Sequence, residues 1–171
     1  MKVSFLAIAA LFVGAASAFS QQGDWTTDYN KALAQAKTEN KAILLDFTGS
    51  DWCGWCMKMK KESLDTPQFT SYAQKNLILV TVDFPHSVPQ PPAVKQQNEK
   101  LGAKYQANGF PTFVLVDKTG RELGRQSGYL AGGAPAFVAK LNTFYTPAPK
   151  AASKGDDFDS FFKKPAASPK P

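Results

Sequence analysis

Residues 42–64 read AILLDFTGSDWCGWCMKMKKESL and hold both cysteines of the 171-residue chain. The stretch opens as an apolar run, Ala42–Leu45 continued by Phe47, which has the pattern of a strand buried on both faces. Turn residues follow at Thr48–Asp51, and a helix is predicted to open at the cysteines and run to about Leu64. The two thiols are one helical turn apart. A structural disulfide across so short a span closes an awkwardly small ring. A structural zinc site takes four ligands, and beyond these two sulfurs there is only His86, in a proline-rich stretch, so no metal is expected. A cysteine–histidine nucleophile would need the same His86, without a local signature. The pair fits redox exchange better. At a helix N-terminus Cys53 would meet unsatisfied N–H groups and the positive end of the helix dipole, both of which favour the attacking thiolate. Cys56, one turn further in, would be shielded and able to resolve a mixed disulfide formed by Cys53.

Outward from this stretch, strands alternate with helices. On the N-terminal side, DWTTDYNKALAQAKTENK places Trp25, Tyr29, Leu33 and Ala36 at helical spacing, with Thr26 or Thr27 available as the cap. On the C-terminal side, Asp65-Thr66-Pro67 breaks the cysteine helix, and Pro67 can start another. Residues 77–84, LILVTVDF, form a second strong strand. Four prolines between Pro85 and Pro92 impose a loop, and helical pattern returns in AVKQQNEKLGAKYQ. PTFVLV, residues 111–116, is a strand, Asp117–Gly120 a hairpin turn into residues 121–125, and residues 134–145 a final helix. The order predicts an α/β fold with a central mixed sheet covered by helices on both faces.

The ends and the composition set the context. Met1-Lys2 precedes an apolar run, VSFLAIAALFVGAA, and Ala16-Ser17-Ala18 supplies small residues for a signal peptidase. Residues 1–18 are therefore expected to be a signal peptide cleaved near Ala18. The run is short for a membrane span of roughly 20 residues. The mature protein is expected to be periplasmic or secreted, with no lipid anchor because no cysteine stands at the cleavage site. Residues 19–145 make the domain, and 146–171 a flexible tail rich in Pro, Ala and Lys, interrupted by DDFDSFF. Twenty basic residues stand against 14 acidic ones, but they are scattered, so no nucleic-acid partner is expected. One vicinal cysteine pair in a core-rich chain is not the disulfide scaffold of a small secreted domain.

WCGWC after LLDFTGSD, together with GFPT before a strand and hairpin, resembles the thioredoxin superfamily over about residues 24–145. The likeness is greatest to exported thioredoxin-like proteins with a WC-x-x-C site. It implies a thioredoxin-like fold and a thiol–disulfide oxidoreductase acting on protein thiols or disulfides, with Cys53 as nucleophile and Cys56 as resolving thiol. It also implies a cis Phe110–Pro111 bond, with Phe110 and Pro111 in the substrate groove beside Trp52, Gly54 and Trp55. Asp46 matches the buried acid beneath the resolving cysteine; burial would raise its pKa and let it take the proton from Cys56. No cofactor is expected beyond the Cys53–Cys56 couple. The direction stays open, with reduction the favoured sense. A reductase would need an electron-donating partner, commonly a membrane protein in this family. No second, dimerisation domain is recognised, so a monomer is expected. The rival reading is a non-catalytic binding module that recruits a partner through its groove or tail.

Three features depart from the family pattern. The stretch from Asp46 to Cys53 is one residue longer than in common thioredoxins, so its loop must bulge. Leu79 stands where the family often has a lysine beside the buried acid, and Gly-Trp replaces Gly-Pro between the cysteines. The proline-rich loop is also long, and is expected to shape substrate access.

Overall fold

A computed structural model describes residues 24–144. The signal peptide, its cleavage site, the tail and DDFDSFF lie outside the described residues. The predicted boundaries at residues 19 and 145 do so too.

Five strands form one sheet in the order β1-β3-β2-β4-β5. They are β1 (Trp25–Thr26), β2 (Ala42–Thr48), β3 (Leu77–Asp83), β4 (Thr112–Val116) and β5 (Glu122–Ser127). β1, β2 and β3 are parallel, whereas β4 runs antiparallel to β2 and β5 antiparallel to β4. The predicted mixed sheet is therefore present. The helices are α1 (Tyr29–Glu39), α2 (Gly54–Met59), α3 (Pro67–Asn76), α4 (Pro92–Lys104) and α5 (Gly133–Asn142).

Every residue of β2 is buried because helices cover both faces of the sheet. Its odd positions, Ile43, Leu45 and Phe47, join Tyr29 and Ala36 of α1, Leu101 of α4 and Tyr105 at its C-cap on one side. Ala42 and Leu44 join Met59, Phe69, Phe113, Phe137 and Leu141 on the other. This strict alternation decides what Asp46 meets. It has the parity of Leu44 and lies toward the redox helix.

Two local expectations are corrected. The helix expected to include Trp25 in its spacing and to be capped by Thr26 or Thr27 starts only at Tyr29, and its cap is Asp28, whose carboxylate accepts from the Lys31 amide at 2.9 Å. Trp25 and Thr26 pair with Leu79 and Val80 of β3 instead. They give that strand a partner on its outer side, which outweighs a helical spacing shared by chance. The cysteine helix reaches Leu64, but not as one α-helix: Lys60–Leu64 is a π turn, closed by the Asp65 amide donating to the Lys60 carbonyl at 2.9 Å. The other expected breaks fall where their residues put them. Thr66 caps α3 with Pro67 in its first turn, and Gly120 takes φ of 80° in the β4–β5 hairpin, a conformation glycine adopts without a Cβ clash.

Candidate active site

β2 carries the chain out of the sheet at Thr48, and residues 49–53 turn it into α2. The Cys53 amide donates to the Gly49 carbonyl at 2.9 Å, and Cys53 becomes the N-cap of α2. Its Sγ accepts from the Cys56 amide at 3.2 Å, so the sulfur occupies the place a capping oxygen normally takes. Cys53 and Cys56 are joined in a disulfide, with Cα atoms 5.2 Å apart. Cys56 is shielded as expected, at 5% exposed, and in this disulfide-bonded state Cys53 is covered as well, at 6%. Bonded to each other over one helical turn, both sulfurs share the cover of the surrounding loops.

Asp46 lies behind the pair. It is 9% exposed, and its Oδ1 has no hydrogen-bond partner among the described residues. Burial pushes its carboxyl up to about 7; repulsion from Asp83 adds to this and Lys60 opposes it. The parallel register sets Thr81 beside Asp46 and Leu79 beside Leu44. The nearby cation thus comes from the π turn, where Lys60 is paired with Asp65, and not from β3. Asp46, Cys56, Lys60 and Thr81 line one cleft of about 510 Å³, so the acid and the inner sulfur share a path toward solvent.

The rim is aromatic. Trp52 is 39% exposed, which makes it a wall of the site and not core. Its indole Nε1 donates to the Phe84 carbonyl at 2.8 Å. Its ring stacks on His86 at 4.5 Å and meets Phe110 edge-on at 5.5 Å. Gly49 is required beneath it, since a Cβ there would stand 2.3 Å from the indole. Trp55 is 58% exposed and leans on Tyr129 with ring centres 5.3 Å apart. Lys58 lies over both of those rings, and the Tyr129 hydroxyl donates to Glu62 at 2.5 Å. Gly54 is exposed, with open space where a Cβ would be. The Phe110–Pro111 bond is cis. Pro111 is buried, Phe110 is half-buried, and the Pro111 carbonyl accepts from the Gly128 amide at 2.8 Å. Trp52 and Gly54 flank Cys53 in the chain and Trp55 precedes Cys56, Phe110 reaches the Trp52 ring with Pro111 next to it, and Asp46 shares a cleft with Cys56.

Sequence reasoning missed Asp51, His86 as a ring partner of Trp52, and Tyr129. Asp51 accepts from the amides of His86 (3.0 Å) and Ser87 (2.7 Å), which hold its carboxyl below the usual carboxylate range. The only signal for it was the extra loop residue. Among the described residues no group of three or more His, Cys, Asp or Glu side chains is placed to hold a metal, and no helix is long and apolar enough to cross a membrane.

Comparison with known proteins points the same way. The sequence model of a family described as thioredoxin-like domain matches residues 29–145. The disulfide bond reductase DsbH of Chlamydia pneumoniae is 42% identical over 115 residues, covering 67% of this chain and 69% of that one. The thioredoxin-related protein DsbJ of the same organism is 37% identical over 59% of this chain, which spans only 29% of DsbJ. A solved structure of a DsbH oxidoreductase superposes with a TM-score of 0.68 at 36% identity, over 82% of this chain and 93% of that one.

Proposed function

The chain belongs to the thioredoxin-like family and is a thiol–disulfide oxidoreductase, and from that premise we propose that it reduces disulfides of exported proteins, with Cys53 attacking and Cys56 resolving. The observation that carries the assignment of roles is the Cys53–Cys56 disulfide at a helix cap, with a buried carboxyl behind it.

In the reduced protein the Cys53 thiolate, stabilised at the cap, attacks one sulfur of a substrate disulfide. A bond forms between Cys53 Sγ and that sulfur, and the substrate's other sulfur leaves as thiolate. Cys56 then loses its proton to the Asp46 carboxylate and attacks Cys53 Sγ, which releases the second substrate thiolate. Two electrons have passed to the substrate, and the enzyme holds the disulfide seen here. A carboxyl titrating near 7 suits this exchange, because both of its protonation states are populated at neutral pH. Trp52, Gly54, Trp55, Phe110 and Pro111 form the groove that takes the extended substrate chain.

The reductive direction is supported by the DsbH relative, which is named a disulfide bond reductase. Reduction must be renewed from outside, and we assign that to an electron-donating membrane partner. The apolar run before Ala18 supports export to the periplasm or beyond. On this reading the protein acts as a monomer and needs no cofactor besides its own dithiol.

Two measurements test the proposal. A Cys56→Ser variant should accumulate exported proteins as mixed disulfides on Cys53; an empty trap would remove the assigned roles. The reduction potential of the couple tests direction. A value near about −270 mV fits a reductase, and one near about −120 mV would make the protein an oxidant.

A further inference from the structure

Two departures from the family pattern, the extra residue in the redox loop and the long proline-rich loop, meet in space. Ser50 donates from its amide and its Oγ to the Asp83 carboxylate at 2.9 and 2.6 Å. Asp51 accepts from the amides of His86 and Ser87. Trp52 bonds the Phe84 carbonyl and stacks on His86, with Gly49 leaving room for its ring. Three consecutive residues, Ser50–Trp52, thus fasten segment 83–87 to the loop that carries Cys53. Two of the bonds, both to Asp51, are made by an exposed side chain that no core contact explains.

These contacts shape a groove of about 650 Å³ between the proline-rich loop and α4. Trp52, Phe84, Val88, Pro89 and Phe110 line it, together with Lys95 and Glu99 of α4. Trp52, which precedes Cys53, and Phe110, which precedes Pro111, meet edge-on in this groove, so it shares two residues with the rim of the redox site. Val88 and Trp52 are large apolar side chains left exposed. Exposed apolar surface in a concavity that also holds His86, Gln90, Lys95, Asn98 and Glu99 can take an apolar ligand group while the polar side chains fix its orientation.

We propose that Asp51 is a positioning residue that braces the proline-rich loop against the redox loop, and that the groove so formed is a specificity subsite for an apolar side chain flanking the reactive cysteine of a polypeptide substrate. The inference rests on thiol–disulfide exchange at Cys53, in either direction. An extended substrate turns alternate side chains to one side, so a residue near its cysteine can enter the groove while its sulfur meets Cys53.

The test uses two synthetic cysteine peptides, one flanked by leucines and one by serines, each carrying 2-nitro-5-thiobenzoate on its cysteine as a mixed disulfide. In a reduced Cys56→Ser background, the Cys53 thiolate attacks the peptide sulfur. One disulfide forms, one breaks, and the coloured thiolate leaves. The leucine peptide should react roughly tenfold faster, the lower end of what a matched apolar pocket discriminates. Asp51→Ala should cut that preference to about twofold or less, the lower end of the pocket's discrimination having been lost. Asp51→Asn, which keeps one acceptor oxygen, should fall between. Val88→Asp, which alters the wall but not the brace, should abolish the preference as well. It also decides the matter if Asp51→Ala does not fold. A wild type without preference overturns the proposal. So does an Asp51→Ala protein that keeps the preference, or one that is slowed equally on both peptides. A preference that emerges only when residues 146–171 are deleted also overturns it, because the chain's own tail would then be the occupant.

Discussion

Replacing Asp46 by asparagine keeps the shape of the side chain and removes its charge, and the pH dependence of the effect follows from the site. In the native protein the carboxyl titrates near 7, against 3.8 for an ordinary aspartate. Between those values the native protein holds a proton that the unfolded chain has released, so stability falls as pH rises. The slope is about 1.4 kcal/mol per pH unit. The contribution is fully present below about pH 4 and gone above about pH 7, and over that span of roughly three pH units it sums to about 4 kcal/mol. Asparagine does not titrate, so the variant lacks this slope. Its amide would bring an additional N–H donor into the same buried site, where Asp46 Oδ1 already finds no partner, at a cost of about 1–3 kcal/mol at every pH. Asp46→Asn should therefore be the less stable protein near pH 4 and the more stable one at pH 8, with the curves crossing between. Urea unfolding of both oxidised proteins, followed by tryptophan fluorescence from pH 4 to pH 8, measures the difference directly. A stability difference constant within about 0.5 kcal/mol across that range, the scatter expected between independent effects, would mean that Asp46 titrates as an ordinary carboxylate, and the reasoning would be refuted.

The other predictions concern chemistry, the rim and the core. Cys53→Ser should reduce exchange with protein disulfides to background while leaving the fold intact; residual turnover carried by Cys56 alone would reverse the assigned order of attack. In the wild type, resolution of the mixed disulfide should accelerate as pH rises through about 7, where Asp46 becomes the carboxylate that accepts a proton, and stopped-flow kinetics of Asp46→Asn should lack that step. Gly49→Ala would set a methyl 2.3 Å from the Trp52 indole. It should displace the ring, shift its emission and cost about 1–3 kcal/mol; an unchanged emission spectrum would show the backbone yielding instead. Phe137, fully buried against Phe69 and Phe113, should cost about 3–5 kcal/mol when cut to alanine, read as a lower urea midpoint with the redox potential unchanged.

The parts legible in the sequence are those that local pattern dictates. Leu77–Asp83 and Thr112–Val116 are apolar runs that only a covered sheet accommodates, and Pro67 marks a helix start because its missing N–H is harmless there. The cysteines, Trp52 and Pro111 could be read because two motifs fixed them at once. What escaped depends on partners remote in the chain. Trp25 and Thr26 follow β3, more than 50 positions away, and no window of helical spacing contains that. The π turn at Lys60–Leu64 has the composition of ordinary α-helix. Asp51 looks like any exposed loop acid until the amides of His86 and Ser87 are brought to it. Chain order alone does not reveal which β3 residue faces Asp46; the parallel register makes it Thr81 and puts Leu79 beside Leu44.

The joint between residues 49–52 and 83–87 also constrains engineering. A proline-rich loop moved alone onto a thioredoxin-like scaffold with the shorter redox loop would arrive with two amides and an aromatic ring that had nothing to receive them. The converse graft would leave an acid without its amides. The two loops are a single transferable module although residues 53–82 separate them in the chain, and a chimaera that keeps this surface has to carry both.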